Sequence, residues 1–192
     1  METLKEYSEL LKADPRQPAF VIANDTKGLM KAIKLRDYHD IAKRSLLHQG
    51  VPSEVSYHFE NARNLLVYSY YYYPFYSMAQ FFAFIAVEAA LRIKAGKPKR
   101  GFTSLFREAV RKKWIRDEGF TLGGPRKSLA DAVPRSFCDV LSESIPRLRN
   151  TFAHGELLLI NNGATTMQIC AELINQLFQK PSVNVGPATP KK

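Results

Sequence analysis

Apolar residues recur every three to four positions over most of this chain, a period that predicts helices. After Pro52, which suits a first helical turn, Val55, Phe59, Ala62, Leu65 and Leu66 fall on one helical face. The stretch from about Phe75 to Ala95 is apolar nearly all round, through Met78, Phe81, Phe82, Ile85, Val87, Ala89 and Leu91. Such a helix belongs at the centre of a bundle or between two subunits. Gly96 and Pro98 end it, and the tyrosine-rich run up to Pro74 holds the break before it. A shorter helix is predicted from a cap at Thr103 or Ser104 to about Trp114, with Phe106, Ala109, Val110 and Trp114 inward and Ser104, Arg107 and Arg111 outward. Residues 136–144 form another helical pattern, and Pro146 opens a last set of turns that Gly155 ends. After the turn signal Asn161-Asn162-Gly163, Thr165 or Thr166 caps a final helix to about Gln179, built on Ile169, Leu173, Ile174 and Leu177.

The first fifty residues are less regular. A short amphipathic segment, Leu4 to Leu11, precedes Pro15 and Pro18, and the β-like run Ala19 to Ala23 has no clear place in a bundle. From a cap at Asp25 or Thr26, the spacing of Leu29, Met30, Ile33, Leu35, Ile41, Leu46 and Leu47 predicts one long helix or two shorter ones, ended by Gly50. Residues 117–135 read as a surface loop with one helical turn at 128–132, and 180–192 as a disordered tail. The expectation is an all-α protein without a sheet: an up-and-down helical bundle over 52–179 behind a helical extension over 1–50.

Composition narrows the class. With 192 residues, 45% hydrophobic and 11% aromatic, the chain has room for one packed domain and is not disordered as a whole. A net charge of +10 makes polyanions the default partners, and residues 94–116 hold nine Lys or Arg against a single acid, Glu108. Cys138 and Cys170 lie in apolar segments without the spacing of a zinc or redox motif, so they read as buried thiols in a reducing cytoplasm. The first residues lack the apolar run and cleavage site of a secretory signal. The apolar stretch from Leu65 to Leu91 is interrupted by Pro74, Gln80, Glu88 and the hydroxyls of Tyr70 to Tyr73, which fits a buried bundle helix and argues against a membrane span.

The candidate chemistry sits before Gly155. With about 100° between successive helical residues, Leu148 and Phe152 fall within about 60° of Ile145 and form a core stripe. Asn150 and His154, four apart, share a face with Arg147 and point away from that stripe, while Arg149 lies on the boundary. Ala153 leaves room for close approach between them. Arg, Asn and His on one polar face can receive a phosphate, and a histidine there can donate a proton near neutral pH. The same histidine could instead simply cap the last carbonyls of its helix.

The run Ile145-Pro146-Arg147-Leu148-Arg149-Asn150-Thr151-Phe152-Ala153-His154-Gly155 resembles the R-x4-H signature of the HEPN superfamily. The apolar helix FFAFIAVEAALRIKAG resembles that family's central helix, and the likeness covers about residues 52–179. The resemblance implies a dimeric helical bundle whose paired motifs form a metal-independent endoribonuclease site, in the setting of stress or phage defence. It implies that Arg149 neutralises the scissile phosphate, that Asn150 orients His154 or the substrate, and that His154 transfers protons. RNA and a second copy are then the expected partners, with a regulatory protein as a further one and no cofactor. Arg147 and, from the basic stretch 94–116, Arg107 and Arg111 are the expected RNA contacts, the alternative being that this stretch is a solvated face. The sequence agrees on the metal, since no carboxylate pair or His/Cys set suits Mg or Zn. The resemblance equally admits a non-catalytic module that binds RNA, nucleotide or protein. Relatives modified on tyrosine by a partner nucleotidyltransferase carry Tyr two residues after the His; Glu156 stands there, so that regulation is not expected.

Three features stay open at this level. Glu88, a carboxylate in an apolar helix, needs a partner, which Arg149, a second subunit or Arg92 four residues on could supply. The tyrosines from 70 to 76 could stack bases or pack a helix junction. His39, His48 and His58 have no evident partners in the sequence.

Overall fold

The computed structural model describes residues 3–23, 30–97, 99–121, 135–154 and 163–179. Among these the architecture is all-helical apart from one hairpin: α1 (Leu35–Arg44), α2 (Ser53–Tyr68), α3 (Phe75–Ala95), α4 (Phe102–Arg111), α5 (Phe137–Ala153) and α6 (Gly163–Phe178). The caps expected at Asp25 or Thr26, the turn at 128–132, Gly155, Glu156 and the tail from 180 lie outside the described residues.

The central helix is where its composition predicts. α3 packs against α2, α4, α5 and α6, and Ala79, Ala83, Ala86 and Ala90 let those neighbours approach closely around Phe84, Val87 and Leu91. By length and composition α3 could cross a bilayer, yet 56% of its most apolar stretch is buried inside the bundle. Gly96 ends it in the left-handed conformation that glycine adopts without strain. α2 buries Val55, Phe59, Ala62 and Leu66 along its predicted face. α6 adds Met167, Cys170, Leu173, Ile174 and Leu177 to the same core. Its first residue, Gly163, donates its N–H to Tyr76 Oη at 2.7 Å, and a Cβ there would lie 2.6 Å from the ring, so a side chain at 163 would force the Tyr76 ring to shift. Cys138 and Cys170 are both buried and free.

The N-terminal region departs from expectation. Met30–Ala32 is a strand, β2, paired antiparallel with β1 (Val21–Ala23) in the register Val21 to Ala32. The expected absence of a sheet is therefore corrected, as is the start of the first helix. Residues 30–32 pair with 21–23 across the hairpin, and Ile33 donates to the carbonyl of Phe20 at 2.9 Å. Lys34 is extended, and Asp37 accepts its N–H at 2.8 Å, so the helix begins only at Leu35. It ends at Arg44, well before Gly50, leaving Leu46 exposed. This region is docked on the bundle. Asp14 accepts the Tyr73 N–H at 2.8 Å, and Gln17 links the Ser69 carbonyl to the Tyr38 hydroxyl.

Two helix ends also differ. α4 stops at Arg111 because Lys113 turns left-handed (φ 57°), which folds Trp114 back so that its N–H reaches the Ala109 carbonyl. α5 runs unbroken through Pro146, where a break was expected. Proline forfeits one helical hydrogen bond, but burying Leu141, Ile145 and Pro146 on one side keeps the helix continuous.

Candidate active site

Three backbone donors are tied down where α5 begins. Asp117 accepts the N–H groups of Phe137 and Cys138, both at 2.9 Å, and Ser136 Oγ accepts that of Asp139. Burial pushes the Asp117 carboxyl up, but these donors and the Cys138 thiol outweigh it and hold it below its usual value. Thus anchored, α5 turns Ile145 into the core, with Leu148 packed against it and Phe152 stacked on Phe84 at a ring separation of 6.2 Å.

The opposite side of α5 faces α4 across an open cleft of about 440 Å³, to which α4 gives Thr103 and Arg107 and α5 gives Glu143, Arg147, Asn150 and the following His154, with Pro146 and Thr151 also in its lining. Arg147, Asn150 and His154 are exposed, as is Ala153 beside them. His154 closes the helix, its N–H on the Asn150 carbonyl at 2.9 Å. Glu143 pairs with Arg135 at 2.6 Å, and that guanidinium, with Arg107 behind it, holds the carboxyl below its usual range. Sequence reasoning missed Glu143, although its place four residues before Arg147 and seven before Asn150 puts it on the same stripe.

Arg149 leaves the cleft for a second cavity, about 650 Å³, formed by Glu54 and His58 of α2, by Ile85, Glu88, Ala89, Arg92 and Ile93 of α3, and by Arg149 itself. There Glu88, its side chain 8% exposed, accepts Arg149 Nη2 at 2.7 Å on one oxygen and Arg92 Nη2 at 2.5 Å on the other. Both intramolecular partners weighed for Glu88 are therefore engaged at once. The other terminal nitrogen of Arg149 reaches Asn150 Oδ1 at 3.3 Å, so Asn150 stands between the two cavities. Six residues were expected in the site. Arg107, Arg147, Asn150 and His154 share the cleft, Arg149 touches it only through Asn150, and Arg111 does not line it.

The remaining candidates resolve into structure. Tyr73 stacks between Phe20 and Tyr76, and Tyr70 meets Tyr38 edge-on, so the tyrosine run packs the α2–α3 junction. His48 has partners after all: its ring accepts the Gly50 N–H and contacts the Asn175 carbonyl, which fixes the turn before α2. His58 lines the Arg149 cavity, and its Nδ1 is buried without a hydrogen-bond partner. Among the described residues, no three His, Cys, Asp or Glu side chains gather as a metal site would require.

No family model, no curated protein and no solved structure matches this chain. The site must be read from its own geometry.

Proposed function

We propose that this chain is a metal-independent endoribonuclease of HEPN type, acting as a homodimer whose site forms where two copies of α5 meet. The observation that carries the reading is the exposed stripe of Arg147, Asn150 and His154 facing Arg107, with Arg149 one residue away and in contact with Asn150. That set holds cations for a phosphate and an imidazole for proton transfer, with open space before both. In this reading the RNA 2′-hydroxyl attacks its own phosphorus. Its proton passes to a neutral imidazole, the bond to the 5′ oxygen breaks, and an imidazolium gives that oxygen a proton. The products are a 2′,3′-cyclic phosphate and a 5′-hydroxyl. Two copies of His154 can divide the base and acid roles, and the arginines offset the charge that builds on phosphorus.

A second copy has a surface to meet. Met78, Phe82, Ile85, Ala89 and Ile93 form a partly exposed apolar strip along α3, beside the cavity that holds Arg149. A second reading is a HEPN module that binds RNA, nucleotide or a protein partner without cleaving. Its support is the Glu88 ion pair, which draws Arg149 toward a cavity that His154 does not line.

The test is incubation of the wild type, His154→Ala and Arg149→Ala with single-stranded and structured RNA in excess EDTA. The nuclease reading expects wild-type cleavage and a loss of about 10²- to 10⁴-fold in each variant. Cleavage that survives both substitutions overturns it. RNA binding without cleavage by the wild type selects the second reading.

A further inference from the structure

Of the chain's net charge of +10, residues 94–116 supply eight, nine basic side chains against Glu108 alone. A surface evolved only for solubility interleaves both signs. Here the one acid lies underneath. Glu108 has 4% of its side chain exposed, and it accepts Lys97 at 3.1 Å, Lys112 at 2.8 Å and Arg100. Those three cations keep 46%, 41% and 43% of their side chains in solvent. One carboxylate can offset one cation, so the cluster presents an excess of about two fixed positive charges outward. Lys112 and Lys97 in turn hold the Glu108 carboxyl at about 2, and it stays ionised through the neutral range.

Trp114 adds rigidity. The ammonium groups of Lys94 and Lys112 lie 5.8 and 4.7 Å from its ring centre, which limits where both lysines can go. The cluster is also continuous with the cleft. Arg107 lines the cleft and precedes Glu108 on α4, and Arg111 follows about 6 Å along the helix, of the order of one nucleotide step.

We propose that the Glu108-centred cluster and the outer face of α4 form a pre-shaped, sequence-independent anchor for the phosphates of a polynucleotide strand leading into the His154 cleft. This rests on the RNA reading above. It adds where the strand lies outside the site and what the anchor ignores: it holds phosphates and reads no bases, so every sequence binds it alike. It also makes no use of the 2′-hydroxyl, so DNA binds it too, and only the chemistry in the cleft separates the two polymers.

The test is a fluorescence-anisotropy titration of the full chain with labelled 2′-O-methyl RNA, which has no free 2′-hydroxyl to attack, and with DNA of equal length, over a salt series. Two variants probe the anchor: Lys97→Gln/Arg100→Gln, which leaves Lys112 on Glu108, and Lys99→Gln/Arg111→Gln/Lys113→Gln, which touches only exposed residues away from Glu108. The second guards against misfolding of the first. Each is expected to shrink the slope of log K against log salt by about 0.7 for every phosphate that the variant no longer neutralises, equally for unrelated sequences. The control Lys43→Gln/Arg44→Gln, on α1, which packs on α2 and α6, should leave the slope unchanged. A wild type that binds neither polymer, anchor variants with the wild-type slope, or a control that falls as far as they do would each overturn the proposal. Slope changes of the expected size in a protein that never cleaves RNA would support the anchor and fail the nuclease reading. Cleavage by the wild type with unchanged anchor slopes would do the reverse.

Discussion

Glu88 sits 6% exposed between two guanidiniums, and its two oxygens are taken by Arg149 and Arg92. Removing one member of a fully buried pair costs about 3–5 kcal/mol, but Arg149 and Arg92 keep 30% and 41% of their side chains in solvent. Glu88→Ala is therefore expected to lower unfolding free energy by only ~1–2 kcal/mol, read from denaturant titration. A cost above that range would mean that the two arginines are more deeply desolvated than the geometry allows. Asp14 offers a pH test. Burial raises its carboxyl pKa, but Arg16 and the N–H groups of Tyr73 and Arg16 outweigh burial and bring it from 3.8 to about 2. A lowered folded-state pKa means that its stabilisation is complete above 3.8 and is lost as pH falls toward 2. Thermal melts should show a shallower acid limb between those values in Asp14→Asn than in the wild type, and parallel limbs would contradict this. At this scale the sequence showed that Asn150, His154 and Arg147 share one side of a helix, because helical geometry alone decides it. It left Glu88 undecided, because the contact with Arg149 depends on how closely α3 and α5 approach.

Among the elements, α2 was legible from its local period and α3 from a long apolar run bounded by Pro74 and Gly96, and nothing distant competes with either. The hairpin was not legible. Met30 and Ile33 fit a helical period, but Met30 pairs with Ala23 and Ile33 donates its N–H to the Phe20 carbonyl, a non-local choice that no window of sequence contains. Pro146 misled in the other direction: read as a break, it is carried inside α5, where it is buried with Leu141 and Ile145. A proline within a helix costs about 3 kcal/mol, and its buried ring returns about 1.5 kcal/mol through two methylenes. Pro146→Ala should therefore raise unfolding free energy by ~1–2 kcal/mol. No gain in denaturant midpoint would mean that the backbone at 146 has relaxed around the proline.

For the whole molecule, the proposed homodimer would bury the partly exposed apolar strip of α3. Ile85→Asp would set a carboxylate in the middle of that strip, where desolvating it costs several kcal/mol on association. Light scattering is expected to report a dimer for the wild type and a monomer for Ile85→Asp, with helical content unchanged. A monomeric wild type would remove the composite site from the account. Charge asymmetry belongs to this scale as well, since one segment supplies most of the net positive charge and adjoins the cleft.

The central claim is that His154 moves protons in a metal-independent attack by the RNA 2′-hydroxyl, and end-group analysis of the cleavage products in excess EDTA tests it most directly. The account predicts 2′,3′-cyclic phosphate and 5′-hydroxyl ends from the wild type, and neither from His154→Ala at matched protein concentration. The same ends produced by His154→Ala, or 3′-hydroxyl and 5′-phosphate ends from the wild type, would contradict it.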